Sequence, residues 1–132
     1  KHKTLWPAFD EAVAAARRAG VHIAIGTDSV GDFFHEMEML HRRGMSTAEC
    51  LQAATLNGAQ ALKQEKNLGS IAPGKYADFV VLDANPLQDL SVLRKPVSVI
   101  KAAKRYDPAR LAWENLPADV FVEAFEPGEE WM

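Results

Sequence analysis

The sequence predicts an α/β fold, because two helical patterns flank one short apolar run. Apolar residues repeat at helical spacing over residues 9–16, and they do so again over residues 33–40. Between them, residues 21–26 are rich in β-branched side chains and lack polar alternation. Such a run is typical of a strand that is buried on both faces of a parallel sheet. The order of helix, strand, loop and helix is that of an α/β unit.

Terminal signals support the four helices that we predict. Gly20 and Gly44 each follow a basic last turn, which is typical of helix C-termini. Residues 46–49 read Ser-Thr-Ala-Glu, a capping box that predicts the start of a third helix, and Met45 and Cys50 are placed to pack across it. A short fourth helix is expected to begin just after it, at position 55 or 57.

Turn and strand patterns dominate after the helices. Residues 68–71 lead into Pro-Gly at 73–74, the pair preferred in type II turns, and residues 76–82 then predict a strand of a hairpin-like unit. Asn-Pro at 85–86 predicts another turn, and residues 97–102 alternate as a further strand. The structural signals fade from residue 107 onward.

Composition limits the classes of partner. The 132 residues include 15 basic and 18 acidic side chains, for a net charge of -3. The chain therefore offers no broad cationic surface, so we expect no nucleic-acid and no membrane partner. No apolar run approaches the roughly 18 residues of a membrane span. Cys50 is the only cysteine, which excludes an internal disulfide and predicts a cytoplasmic location.

Asp28 is the leading candidate for chemistry. It follows the predicted strand directly, on the loop that enters a helix, and α/β folds place reactive groups at such strand ends. Its carboxylate could bind a cation and accept a proton from hydrolytic water. The alternative is that Asp28 only caps the turn, as aspartate often does.

Three other patterns suggest chemistry more weakly. Glu38 and His41 match one Glu-x-x-His step of a dimetal bundle, but the second step that such a bundle needs is missing. His22 lies within the predicted strand and is expected to be hydrogen-bonded rather than a ligand. Residues 69–75 are glycine-rich and end in lysine, but a phosphate loop requires a following Ser or Thr and a helix, whereas Tyr76 and a predicted strand follow here. We therefore expect a tight turn between two strands there.

Three motifs in order resemble the C-terminal third of the metal-dependent amidohydrolase superfamily, most closely its imidazolonepropionase-like and prolidase-like branch. The motifs are AGVHIAIGTDS at 19–29, AATLNGA at 53–59, and LGSIAPGKYADFVVLD at 68–83 followed by NPL at 85–87. The resemblance implies the C-terminal end of a (β/α)8 TIM-type barrel plus part of a small β-sandwich. It also implies that Asp28 is a catalytic residue and a metal ligand in an enzyme that uses zinc or another divalent metal, as one or two ions.

The resemblance also implies a division of the chain. Residues 1–66 would be the last helix, strand and helices of the barrel, residues 67–106 strands of the composite sandwich, and residues 107–132 a tail of unknown structure. A complete barrel needs about 250 residues, so we expect a C-terminal fragment whose partner is the N-terminal part of the same polypeptide. Lys63 and Ala103 stand where the family usually has glycine.

The function implied is hydrolysis of an amide, cyclic amide or dipeptide bond in a small-molecule substrate by metal-activated water. A homo-oligomer is possible. The alternative is a non-catalytic structural or interaction module, either an inactive homologue or an isolated piece.

Overall fold

The computed structural model describes residues 6–26 and 33–110. Within these ranges the chain forms helices followed by a small antiparallel sheet. The elements are α1 (Trp6–Arg18), α2 (Phe33–Arg42), α3 (Thr47–Ala53), α4 (Leu56–Ala61), β1 (Phe79–Val81), β2 (Ser98–Lys101) and β3 (Lys104–Tyr106), with 3-10 helices at Leu90–Arg94 and Pro108–Arg110. This mixture of helices and strands fits the predicted α/β class. None of the helices in these ranges is long and apolar enough to cross a membrane.

The hydrophobic core lies where α1, α2, α3 and the first 3-10 helix meet. Each contributes apolar side chains that are less than a tenth exposed, because the apolar stripe of an amphipathic helix must be covered. The core residues are Val13, Met37, Leu40, Met45, Cys50, Ala53 and Leu90. Burial raises the pKa of the Cys50 thiol, so this side chain acts as a small apolar residue.

The predicted capping box of α3 is confirmed. The Ser46 hydroxyl accepts a hydrogen bond from the Glu49 amide at 3.2 Å, and the Glu49 carboxylate accepts one from the Ser46 amide at 2.6 Å. Met45 and Cys50 are both buried, 4% and 0% exposed. The third helix therefore begins where the sequence predicts it.

The three strands of the described region pair in the order β1-β2-β3, all antiparallel. The prediction of β2 is confirmed, whereas the strand predicted at 76–82 is reduced to β1. Asp78 lies just before β1, and its carboxylate accepts the Ala102 amide at 2.7 Å and pairs with Lys101. These two contacts lower the pKa of Asp78, the backbone bond contributing most.

β3 is absent from the sequence-based prediction because its turn has unusual residues. Ala102 and Ala103 form the turn between β2 and β3 with φ of 50° and 63°. Two-residue hairpin turns of this kind normally use Asn-Gly. Because Asn-Gly is missing here, the sequence has no local signal that the strand predicted at 97–102 turns back into a second strand.

The prediction of a strand at 21–26, buried on both faces, is wrong for the described structure. Residues 21–26 form no strand in the described structure, and the Val21 side chain is 57% exposed. A strand needs a neighbour whose backbone completes its hydrogen bonds, and the described ranges provide none beside this segment. We call residues 21–26 the carrier segment, because they lead toward Asp28.

The turn at 73–74 is confirmed, but it does not join two strands. The Lys75 amide donates to the Ala72 carbonyl at 3.2 Å, and Gly74 has φ of 86°, as a type II turn requires. The residues before the turn form no strand in the described structure. Instead, the Lys75 ammonium binds the carbonyls of Glu65 and Leu68 and thereby fixes the irregular segment that precedes β1.

Candidate active site at the end of the carrier segment

The carrier segment presents two different faces. Ile23 and Ile25 are half-buried and pack against the core, whereas His22, Ala24 and Gly26 are exposed. Over residues 22–26 burial therefore alternates with a period of two, as it does along a strand that packs on helices with one face only.

Helices α3 and α4 hold Ile23 and Ile25 through hydrogen bonds to the backbone. The Asn57 side-chain amide donates to the Ile23 carbonyl at 2.8 Å, and the Ile25 amide donates to the Ala53 carbonyl at 3.1 Å. The position of the carrier segment is thus fixed at two alternate residues. Asn57 belongs to the AATLNGA motif, yet sequence reasoning gave it no function, because a single asparagine beside a helix start is also a common cap.

An apolar groove of about 530 Å³ runs along the carrier segment between α1 and α2. Its walls are almost entirely aliphatic or aromatic. Among its lining residues are Phe9, Val13, Ile23, Ile25, Met39 and Leu40. Such a surface is suited to packing against further apolar side chains and offers little polar chemistry.

A more polar recess of about 450 Å³ lies beside the beginning of the carrier segment. Arg17 and Glu49 pair there at 2.9 Å, and the hydrogen bond from the Ser46 backbone, with Arg17, lowers the pKa of Glu49 to about 2. His22 shares a hydrogen bond of 2.9 Å with Gln60, so the expectation of a hydrogen-bonded histidine is confirmed, although its side chain is exposed.

Asp28, the predicted catalytic residue and metal ligand, lies outside the described residues. The described residues bring no three His, Cys, Asp or Glu side chains together as a metal site. They therefore do not fit a complete metal centre, and any further ligands must come from elsewhere.

The dimetal pattern finds no support in the described geometry. Glu38 pairs with Arg94 at 3.2 Å, and the His41 ring bonds the Met45 carbonyl at 2.7 Å. Both side chains therefore have structural partners in the helical core. Lys75, the lysine of the glycine-rich turn, is likewise bound to backbone carbonyls and does not form a phosphate loop.

Comparison with known proteins shows which family the chain resembles. Residues 9–105 match the model of the amidohydrolase family. A 5-methylthioadenosine/S-adenosylhomocysteine deaminase from Teredinibacter turnerae is 36% identical over 99 residues, which cover 64% of this chain and 22% of the deaminase. An imidazolonepropionase from Syntrophobacter fumaroxidans is 40% identical over 76 residues, covering 58% of this chain and 18% of that enzyme.

A solved structure agrees with these sequence matches. A Xaa-Pro dipeptidase crystallised with methionine in its active site superimposes with a TM-score of 0.70 and 35% identity, covering 76% of this chain and 26% of the dipeptidase. The chain thus spans about a fifth of the two curated relatives and a quarter of the solved one. Because the family model matches residues 9–105, well over half of the chain, the chain belongs to the amidohydrolase family.

Proposed function

We propose that the protein carrying this chain hydrolyses an amide, cyclic amide or dipeptide bond of a small molecule. Family membership supports this proposal, as do relatives named for an imidazolone, a nucleoside amine and a Xaa-Pro dipeptide. In this proposal residues 1–66 contribute the end of a TIM-type barrel, residues 67–106 contribute strands of a β-sandwich, and the enzyme works in the cytoplasm.

The observation that carries the proposal is the two-faced carrier segment. In α/β barrels, one face of each strand packs on the outer helices and the other faces the barrel interior, while the active site lies at the carboxyl ends of the strands. In the carrier segment, Ile23 and Ile25 pack against the helical core, and Ala24 and Gly26 are exposed. Asp28 follows Gly26 by two residues in the sequence, which supports its assignment to the loop after this segment.

Asp28 is the residue to which we assign the chemistry. A carboxylate in this role helps to hold a divalent metal, accepts the proton of the hydrolytic water and returns it to the departing amine. The metal, zinc in our proposal, supplies Lewis-acid activation of water when bound. A catalytic zinc needs about three protein ligands, so the N-terminal part of the polypeptide must supply the others.

The test uses the full-length protein, with metal content measured, on alanyl-proline, N-acetylphenylalanine and hydantoin. We expect hydrolysis of at least one substrate, loss on chelation and recovery with zinc. Asp28→Asn should lower kcat by roughly a hundredfold to ten-thousandfold, the usual contribution of general acid-base catalysis. Asp78→Asn is the matched control, because its carboxylate serves the β2-β3 turn. Equal kcat for wild type and Asp28→Asn at matched metal content overturns the assignment.

A further inference from the structure

A second apolar groove, of about 810 Å³, lies between the helices and the sheet. Val80 of β1 and Val99 of β2, which pair across the two strands, are among its lining residues, as are Phe33 and Met37 of α2. Val80 is 48% exposed and Phe33 is 37% exposed, so large apolar side chains of this groove are in contact with solvent. We call it the sheet groove, and its surface is suited to cover by a further apolar segment.

The described chain ends at the rim of the sheet groove. Pro108 is one of the lining residues, and the 3-10 helix Pro108–Arg110 is the last described element. Residues 111–132, which we call the tail segment, thus begin three residues after a residue of the groove wall. About fifteen extended residues span up to about 50 Å, whereas a domain of about 100 residues has a radius of gyration of about 13 Å. The tail segment is therefore long enough to cross the groove.

The composition of the tail segment matches an apolar groove. Large apolar residues recur over its first fifteen positions, and they are Leu111, Trp113, Leu116, Val120, Phe121, Val122 and Phe125. Removing such side chains from water is the dominant favourable contribution to folding and association. The sheet groove and the tail segment therefore each gain by covering the other.

The charge of the tail segment is opposite to that of a recess beside its point of attachment. The tail segment contains neither lysine nor arginine, and its six acidic residues are Glu114, Asp119, Glu123, Glu126, Glu129 and Glu130. A recess of about 670 Å³ that includes Arg110 is also lined by Lys104 and Arg105. Asp107 lines it as well, but its carboxylate already accepts the Ala109 amide. Complementary charges favour contact between the two and fix its orientation.

We propose that the tail segment docks on its own chain, with its apolar side chains in the sheet groove and its acidic side chains beside the basic recess. Docked there, it connects α2 to the sheet. Because the tail segment is tethered at Arg110, its effective concentration at the groove is on the order of millimolar, which favours it over a separate molecule. This inference does not depend on the proposed hydrolytic function.

The first test changes the tail segment in the full-length protein. Phe121→Ser with Phe125→Ser removes two large apolar side chains, and Phe121→Leu with Phe125→Leu is the matched control that keeps both positions apolar. Amide hydrogen exchange of residues 111–125 is measured by mass spectrometry. In wild type we expect exchange to be at least about tenfold slower than in an unfolded chain. The serine variant should accelerate it by at least about tenfold, and the leucine variant by less than about threefold.

The second test changes the sheet groove and leaves the tail segment intact. Val80→Thr places a hydroxyl in the groove, whereas Val81→Thr, at the next residue of β1, places it on the opposite face of the sheet. Both variants keep a β-branched side chain, so they affect the strand itself equally. Val80→Thr should accelerate exchange of residues 111–125 by about threefold or more, and Val81→Thr by less than about 1.5-fold. This pair also decides the matter if the serine variant does not fold.

The contact between charges has its own pair of variants. Lys104→Gln removes a charge from the basic recess, and Lys66→Gln removes one from an exposed lysine that does not line it. We expect Lys104→Gln to accelerate exchange of residues 111–125 by about twofold relative to Lys66→Gln, as for a surface ion pair. An equal rate in the two variants overturns the placement of the acidic side chains.

Three results overturn the docking of the tail segment. One is exchange of residues 111–125 in wild type at the rate of an unfolded chain. Another is equal exchange of these residues in Val80→Thr and Val81→Thr, since a different surface then holds the tail segment. The third is protection of the groove residues 93–99 that is unchanged in the serine variant, because another occupant then covers the groove. That occupant is a second copy if the protection rises with protein concentration, and otherwise the N-terminal part of the polypeptide.

Discussion

Arg17 binds both carboxylate oxygens of Glu49 through one terminal nitrogen, at 2.9 and 3.0 Å, across 32 residues of sequence. The pair joins the last turn of α1 to the first turn of α3, where the Glu49 carboxylate also receives the Ser46 amide. A single carboxylate thus completes a helix cap and connects two helices. Sequence analysis predicted the cap, whereas the partner from α1 depends on tertiary packing.

The Glu49 contacts predict a loss of stability in acid. The folded pKa of Glu49 is lowered from 4.5 to about 2. The contribution of ionised Glu49 to the free energy of unfolding is therefore complete above the unfolded pKa, and it is lost as pH falls from about 4.5 toward 2. The side chain is 40% exposed, so solvent screening reduces the contribution to about 1–2 kcal/mol at neutral pH.

The test compares wild type with Glu49→Gln. The unfolding free energy of both proteins is measured in urea at pH 7 and at pH 3, and the difference between them is taken at each pH. We expect this difference to fall by more than half at pH 3. Glu11→Gln is the control, since Glu11 pairs with Arg18 on the surface with both side chains more than 60% exposed. A Glu49→Gln difference that is constant with pH would contradict the prediction.

We expect replacement of Gly69 by alanine to destabilise the protein strongly. Gly69→Ala places a Cβ 2.7 Å from the Ala59 Cβ at a φ of 81°. Overpacking and the left-handed backbone together should cost roughly 2–4 kcal/mol. Gly74→Ala shares the positive φ but has nothing within 4 Å of the added Cβ, so it should cost only about 1 kcal/mol. Thermal melting of the two variants tests the ranking, and equal losses would show that close packing is not the cause.

We expect a double substitution in the turn between β2 and β3 to stabilise the protein. Ala102 and Ala103 both have positive φ, which costs alanine roughly 1–2 kcal/mol per residue. Ala102→Asn with Ala103→Gly supplies the preferred turn pair, at an entropic cost of about 0.4–1 kcal/mol for the added glycine. The net gain should be roughly 1–3 kcal/mol in thermal or urea unfolding. Ala15→Gly, at an exposed position in the middle of α1, is the control and should destabilise by about 1 kcal/mol.

Local signals explain which elements could be predicted from the sequence. The capping box at Ser46 and the Pro-Gly turn at 73–74 are complete within a few residues, and both appear in the structure. Lys63 and Ala103, which stand at positions usually held by glycine in the family, do adopt the positive φ values that glycine favours, 55° and 63°. Both positions therefore keep a left-handed backbone, although a side chain with a Cβ atom disfavours it.

The remaining features depend on neighbours that no local pattern specifies. Residues 21–26 have the composition of a buried strand, but strand pairing requires a second backbone, and in the described ranges helices α3 and α4 supply the hydrogen bonds. Likewise, the hydrogen bond from Asn57 to the Ile23 carbonyl joins residues that are 34 positions apart in sequence. The role of Asp28 stays a prediction, since the described residues end at Gly26 on one side and resume at Phe33 on the other.

The chain by itself should not hold a catalytic metal. The described residues contain no cluster of three candidate ligands, and Asp28 contributes one carboxylate, whereas a catalytic zinc site takes about three protein ligands and an open position. We therefore expect the 132-residue polypeptide to lose zinc to a chelating indicator in a competition assay, while the full-length protein retains it. Asp28→Asn should weaken zinc binding in the full-length protein and leave the weak binding of the short chain unchanged. Tight, stoichiometric zinc binding by the short chain would refute the proposal that most of the ligands come from the N-terminal part of the polypeptide.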